Sequence, residues 1–366
     1  MGRLEPNRVC TGSVKCVEEA GEIVSGTREL ADRFGRIADD LRISLIDKCN
    51  LRCTYCMPAE GMTWLPKEHL MSASEAVRIA DIGVRIFGVK DIRFTGGEPL
   101  VRKDLEDIIA GVRSAHPAVP ISLTTNAIGL DKRIDALVNA GLTRINVSLD
   151  TVRRETFRAM TRRDRLEAVI DGIDAARRAG LHPIKVNAVM MRGLNDTQEA
   201  ELLAWCLGRG LQLRFIEQMP LDADRLWARA NLVSAREIRG RLRESYDLTP
   251  HPEPRGSAPA QLWDVRHLGG SDVLGQVGII ASVTESFCAA CSRTRLTADG
   301  HVRSCLFSNE ETDLLGPMRA GASDEEIAEI WAGAMWAKPR AYGSDTVTLN
   351  TPGYVPPERS MSEIGG

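Results

Sequence analysis

At 366 residues the chain is long enough for one large domain with an extension, or for two domains. A net charge of −3 argues against general attraction to nucleic acid, so any anion site has to be built locally. No apolar run approaches membrane-spanning length and the N-terminal MGRLEPNRVCTGSVKC lacks the apolar core of a secretion signal, which predicts a cytoplasmic protein without membrane association.

Residues 1–33 show no persuasive period and read as an N-terminal extension, partly disordered. Between residues 34 and 225 short β-rich runs alternate with longer helical ones. Strands are expected at 41–47, 91–97, 120–127, 144–150, 183–190 and 212–219, with periodic helices such as 72–88 and 165–180 between them. Strand then helix, repeated six times, argues for parallel βα units. Parity sorts the strands into two faces: Leu41, Ile43 and Leu45 oppose Arg42 and Ser44; Ile92 and Phe94 oppose Arg93 and Thr95. Ile145, Val147 and Leu149 oppose Asn146, Ser148 and Asp150, and Ile184, Val186 and Ala188 oppose Lys185 and Asn187. Helices have to cover the apolar faces, so the polar faces converge inside the sheet and imply a polar ligand. The sixth run does not sort by parity. Residues 226–366 change pattern: a helix at 234–245, a Pro- and Gly-rich stretch at 251–259, the short strands QLWDV and QVGIIAS, a helix in SDEEIAEIWAGAMWAKP and a polar tail. They read as a smaller α+β extension covering the open side of the sheet.

Six of the nine cysteines form two triplets, and clustered cysteines in a reducing compartment read as metal or redox ligands. Cys49, Cys53 and Cys56 follow the first strand with the spacing Cys-x3-Cys-x2-Cys, on the kind of loop where α/β enzymes keep their chemistry. Structural zinc wants four ligands and an iron–sulfur cube ordinarily takes four thiolates, so three thiolates leave one iron open to a substrate or cofactor. Cys288, Cys291 and Cys305 form a second set, Cys-x2-Cys-x13-Cys. Half a zinc ribbon has the same look, with His301, after the Asp299-Gly300 turn, as its fourth ligand. Cys10 and Cys16 fall in the extension and Cys206 on an apolar helix position, and none of the three is expected to have a functional role. In Thr95-Gly96-Gly97-Glu98-Pro99 the glycines allow close backbone approach.

The first triplet, with Tyr55 just before its third cysteine, resembles the radical S-adenosylmethionine (SAM) family. The second triplet, with Arg293 and Arg295 between its ligands, is similar to the GTP 3′,8-cyclases within that family, over about Phe34 to Gly366. The resemblance implies an α/β fold, an incomplete (βα)6 TIM-like barrel with a C-terminal extension. It implies two [4Fe-4S] clusters, one on Cys49, Cys53 and Cys56 that cleaves SAM to a 5′-deoxyadenosyl radical, and one on Cys288, Cys291 and Cys305 that anchors the substrate. Tyr55, Gly97, Ser148 and Met219 correspond to SAM contacts; Arg42, Arg93, Thr124, Lys185, Arg293, Thr294 and Arg295 correspond to GTP contacts. The cluster-one cysteines with Arg293 and Arg295 correspond to the catalytic set. The implied reaction removes the C3′ hydrogen of GTP and joins C3′ to C8, the first step of molybdopterin synthesis. Implied partners are an electron donor, a second copy in a homodimer and cyclic pyranopterin monophosphate synthase, which takes the product. The double glycine Gly365-Gly366 is implied to reach toward the active site. Ile46-Asp47-Lys48 departs conservatively from the family's usual Thr-Asp-Arg. The residues alone add that Arg42, Arg93 and Lys185 share the inner face, where a bound anion would offset the cost of unpaired charge. Two other classes stay open: a radical SAM enzyme that modifies a peptide and carries an auxiliary cluster, and a non-enzymatic iron–sulfur or zinc protein.

Overall fold

The apolar parity of the alternating runs is what the sheet buries. In a computed structural model that describes residues 28–349, 351 and 353–365, they form strands β1 (Asp40–Ser44), β2 (Asp91–Thr95), β3 (Ile121–Thr125), β4 (Arg144–Ser148), β5 (Ile184–Met190) and β6 (Gln212–Glu217). These strands pair in parallel and in chain order. Helices α1 (Ala73–Arg85), α2 (Leu105–Ala115), α3 (Ile134–Ala140), α4 (Arg154–Thr161), α5 (Leu166–Arg178) and α6 (Glu199–Leu207) lie in the connections. Leu41, Ile43, Phe94, Val147, Val186 and Phe215 are fully buried in one continuous core. Cys10, Cys16 and Gly366 lie outside the described residues. Residues 28–33 of the expected extension pack against the body: Leu30 is buried and Ala31 bridges to Ile37.

The C-terminal part begins with α7 (Ala235–Leu242) and lengthens the same sheet at both edges. Beyond β6 come β7 (Tyr246–Pro250), β8 (Gln261–His267) and β9 (Gly275–Ile280); beyond β1 come β10 (Arg293–Leu296), β11 (His301–Arg303) and β12 (Thr312–Asp313). The order is β12-β11-β10-β1-β2-β3-β4-β5-β6-β9-β8-β7. Because β9 is parallel to β6 and β10 to β1, the strands from β10 to β9 run parallel without interruption. The extension thus supplies walls at both open edges as well as cover.

Helices α8 (Leu315–Arg319), α9 (Asp324–Trp336) and α10 (Met361–Ile364) follow. Helices α1, α7, α9 and α10 start on a Ser-x-x-Glu box, Ser72 with Glu75, Ser234 with Glu237, Ser323 with Glu326 and Ser360 with Glu363, in which each serine and glutamate satisfy one another's backbone N–H. Helix α9 covers β10: the buried Trp331 donates its indole N–H to Thr294 Oγ1 at 3.0 Å and packs edge-on against Phe87. The sixth strand resolves by packing. Leu213 and Phe215 enter the core, whereas Arg214 and Ile216 face inward. Glu217, of the outward parity, is buried and accepts backbone N–H groups from Ala235, Val283 and Thr284. A polar residue outside and an apolar one inside hid the period from the sequence.

Candidate active site

The loop after β1 carries the first triplet and is held by backbone bonds. The N–H groups of Cys56 and Met57 reach the Cys53 carbonyl, and those of Arg52 and Thr54 reach Thr161 and Met160 at the end of α4. The strand β2 loop closes on it from the other side, where Gly97 N–H donates to Ile46 O at 2.6 Å and Glu98 N–H to Lys48 O at 2.8 Å. A Cβ on Gly97 would sit 2.3 Å from the Asp47 carbonyl oxygen, and one on Gly96 2.4 Å from that of Ile46. Glycines are required here for backbone docking against the cysteine loop. Glu98 is buried and accepts from Leu100 N–H, Thr125 Oγ1 and Asn126 N–H, which ties this turn to the end of β3. Burial pushes its carboxyl up to about 7 against the pull of those donors.

Burial raises the Cys49 thiol to about 11 and the Cys56 thiol to about 12, and raises that of Cys53 as well. Three half-buried thiols that repel one another as anions are all readily deprotonated around a positive centre, which is the donor chemistry of an iron–sulfur site. The second set differs. Burial pushes Cys291 up, but Lys338 and Arg293 outweigh it and bring the thiol down to about 6, while burial keeps Cys305 raised. His301, the candidate zinc ligand, ion-pairs with Asp299 at 3.4 Å and is not on the wall with the three cysteines. Among the described residues no three His, Cys, Asp or Glu side chains close on a single metal ion.

Both triplets open onto one cavity across the strand ends, and between them lies a row of cations. Register sets Arg42 beside Arg295 on one side and Arg93 on the other. Arg293, Arg295 and Arg214 are buried on the same wall. Their carboxylate partners are few: Arg42 and Arg293 share Asp40 at 3.5 and 3.9 Å, while Arg293 also donates to Ser257 O at 2.7 Å and Cys291 Sγ at 3.5 Å, Arg295 to Gly365 O at 3.5 Å, Arg93 to Ser122 Oγ at 3.3 Å and Arg214 to Asn146 Oδ1 at 2.7 Å. Buried Nε atoms of Arg42, Arg214 and Arg293 and Oδ1 of Asn187 have no protein hydrogen-bond partner. Burial and mutual repulsion lower the pKa of Arg93, Arg214 and Arg295, whereas Arg42, Arg93, Arg293 and Arg295, against the effect of burial, hold Asp40 down to about 2. Such a surplus of buried positive charge is stabilised by a polyanion.

Of the residues singled out from the sequence, Cys49, Cys53, Cys56, Tyr55, Gly97, Ser148, Met219, Arg42, Arg93, Thr124, Cys288, Cys291, Cys305, Arg293 and Arg295 line this cavity. Lys185 is on the same face, paired in register with Asn146, but is not on the cavity wall; burial, then Arg214, lowers its ammonium to about 8. Thr294 is a correction. Between two inward arginines its side chain points outward, where it is fully buried and receives the Trp331 N–H, so its hydroxyl does not face the cavity. Gly365 approaches the site: its carbonyl lies 3.5 Å from Arg295 Nη1. The sequence places Asn187 and Asp150 on the inner face without a role and leaves Arg214 unplaced, and all three line the cavity. Asp150 accepts from Tyr55 Oη at 2.9 Å and so fixes the ring beside the cysteines. Parity alone placed Asn187 and Asp150 inside; Arg214 needed the facing of β6, legible had Leu213 and Phe215 been weighed above Ile216 and Glu217.

A parallel βα sheet whose first loop presents Cys-x3-Cys-x2-Cys to a cavity at the strand ends defines a radical SAM protein. Residues 43–206 match the model of the Radical SAM superfamily and residues 211–344 that of Molybdenum Cofactor Synthesis C. The chain is 58% identical over 343 residues to the GTP 3′,8-cyclase of Paenarthrobacter nicotinovorans, covering 92% of this chain and 97% of that one. It is 56% identical over 337 residues to the GTP 3′,8-cyclase of Rhodococcus opacus (strain B4), covering 92% and 93%. With that of Corynebacterium glutamicum (strain R) it shares 54% over 345 residues, 93% of this chain and 90% of the other. The chain belongs to the GTP 3′,8-cyclase family of radical SAM enzymes.

Proposed function

We infer that the cavity is where GTP is converted to (8S)-3′,8-cyclo-7,8-dihydroguanosine 5′-triphosphate, the first step of molybdopterin synthesis. The observation that carries this reading is the row of buried, under-partnered cations between two cysteine triplets in one cavity. SAM and the first [4Fe-4S] cluster, when bound, would supply the 5′-deoxyadenosyl radical that takes the C3′ hydrogen. Cys49, Cys53 and Cys56 hold the first cluster, and Cys288, Cys291 and Cys305 the second, beside the purine. Tyr55, Gly97, Ser148 and Met219 contact SAM, with Asp150 holding the Tyr55 hydroxyl. Arg42, Arg93, Arg214, Arg293, Arg295 and Lys185 bind the triphosphate, with Thr124 at the same wall. Placement by these side chains is the protein's main contribution, because a radical held within reach of C3′ and shielded from the protein reacts with the substrate.

Residues 34–225 act as the barrel that carries SAM chemistry and residues 226–366 as the part that closes it and holds the second cluster. The protein works in the cytoplasm as a homodimer, takes its electron from a reduced donor protein and passes its product to cyclic pyranopterin monophosphate synthase. Among the described residues no helix is long and apolar enough to cross a membrane. A peptide-modifying enzyme or a non-enzymatic metal protein would leave the inward cations without a partner. The test is anaerobically reconstituted protein given SAM, a strong reductant and GTP deuterated at C3′. Deuterium in the 5′-deoxyadenosine is expected; unlabelled 5′-deoxyadenosine with no GTP consumed would overturn the substrate assignment.

A further inference from the structure

The last helix of the sheet cover, α9, ends at Trp336, and two residues later Lys338 turns inward. Its side chain is almost completely buried, with 2% of the residue exposed. The ammonium donates to the Arg293 carbonyl at 2.9 Å, the Cys291 carbonyl at 3.2 Å and the Cys291 sulfur at 3.5 Å. Those three contacts use all three of its N–H donors.

Like the buried Arg214 and Arg295, Lys338 meets no carboxylate among the described residues, but unlike them it does not line the cavity. The buried cations Arg36, Arg102 and Arg303 each meet a carboxylate, from Asp32, Asp104 and Glu311. Lys338 forms no ion pair with any carboxylate among the described residues, and two of its three acceptors are neutral carbonyls. A lysine this buried is rarely found unpaired, because an isolated ammonium in a low-dielectric interior costs several kcal/mol, on the order of the effective penalty per ion. Its third acceptor is the Cys291 sulfur, which becomes anionic on ligating a metal. Arg293 Nη1 reaches the same sulfur at 3.5 Å, so two cations converge on one cysteine. Among the described residues no cation bonds a sulfur of the first triplet: Cys49 Sγ receives the Leu51 amide at 3.4 Å and the Asn126 side-chain amide at 3.9 Å, both neutral, while Arg52 Nη1 ends on the Cys49 carbonyl at 2.7 Å.

We propose that Lys338 is the buried counter-ion of the second cluster: its ammonium, held against Cys291 Sγ, offsets the negative charge of the thiolate-bound cluster, secures its loading and raises its reduction potential. This rests on the reading that Cys288, Cys291 and Cys305 hold that cluster. Hydrogen bonds and net charge at the sulfurs are among the protein's levers on cluster potential, and a nearby positive charge stabilises the form carrying the extra electron. The two sites then differ in that, among the described residues, cations touch a ligand sulfur at the second triplet and not at the first. Lys338 does not line the cavity, so it is a positioning residue that acts through Cys291.

The test uses the full chain carrying Cys49→Ser, Cys53→Ser and Cys56→Ser, so that bound iron reports only the second site. After anaerobic reconstitution, iron and sulfide per chain are measured, folding is followed by circular dichroism, and the cluster midpoint is read by a redox titration monitored by electron paramagnetic resonance. Expected are an unchanged midpoint in Lys338→Arg, which keeps the charge, and a lower one in Lys338→Gln, which keeps a donor without it. Lys338→Met should lower the midpoint or lose the cluster. Full loading with the original midpoint in both Lys338→Gln and Lys338→Met would overturn the inference. Should neither neutral variant fold, Lys338→Arg decides, a folded chain at the original midpoint supporting the counter-ion and a folded chain with a lowered midpoint refuting it. Absence of iron in the parent chain with Lys338 intact would instead refute the second-cluster reading itself.

Discussion

Lys185 and Arg214 carry the sharpest consequences at the scale of single residues. Lys185 is a base whose pKa in the folded protein is lowered to about 8, by burial and by Arg214, Arg144 and Arg93. Below that pH the ammonium is present to meet a phosphate; above it the free protein loses the proton and binding has to restore it. GTP affinity measured by calorimetry should therefore hold steady just above neutrality and weaken as pH rises through 8. Lys185→Arg, which stays charged, should remove that fall; the same fall in Lys185→Arg would exclude Lys185 as its source. Arg214 is held by Asn146 with its Nε unpartnered, so its fork is aimed and available. Charge-assisted hydrogen bonds contribute about 1.5–3 kcal/mol, so Arg214→Ala should weaken GTP binding roughly 10- to 100-fold while iron content stays at the wild-type level. Unchanged affinity in that variant would remove Arg214 from the triphosphate site.

The unit that decides the first metal site is the pair of loops after β1 and β2. The β2 loop donates its Gly97 and Glu98 N–H groups to the Ile46 and Lys48 carbonyls of the β1 loop. The approach is so close that a methyl group on residue 97 meets backbone oxygen on two sides, Asp47 O at 2.3 Å and Lys48 O at 2.5 Å. Gly97→Ala should cost about 1–3 kcal/mol through overpacking and displace the cysteine loop, seen as lower iron content at the first site. Gly129→Ala is the control. Its φ of +85° strains an L-residue, yet nothing lies within 4 Å of the added carbon, so thermal stability should fall modestly with iron content unchanged. Equal iron loss in both would mean that general destabilisation, and not the loop contact, sets loading.

Across the whole molecule, the C-terminal part builds one wall of the substrate site by adding β10 to the edge of β1, and α9 holds that strand from behind. Trp331 joins the two: it is fully buried and its indole N–H ends on Thr294, between the two inward arginines. Trp331→Ala should cost about 3–5 kcal/mol and, by loosening β10, raise KM for GTP more than KM for SAM. Trp331→Phe keeps most of the packing and leaves the Thr294 hydroxyl without its donor, a loss of about 1–3 kcal/mol seen in the midpoint of thermal unfolding. Equal effects of Trp331→Ala on the two KM values would sever β10 from triphosphate binding.

The order of the six βα units, the inner and outer faces of most strands and both cysteine triplets were legible in the chain, because they rest on local signals: period-two alternation, helical period and ligand spacing. The inward Arg42, Arg93 and Lys185 followed from parity in the same way. Tertiary structure decided what depends on contacts between distant segments. Only pairing in space shows that β10 and β9 extend the barrel at opposite edges, since partner choice between strands is fixed by packing and not by adjacency in the chain. That Glu217, of the outward parity, can be buried there rests on backbone N–H groups from Ala235, Val283 and Thr284, segments distant in the chain. The outward turn of Thr294 required its pairing in β10, and the unpaired charge of Lys338 required the burial that α9 imposes. Local periodicity is written residue by residue, whereas burial and charge compensation are properties of groups brought together from far apart in sequence, which no single stretch encodes.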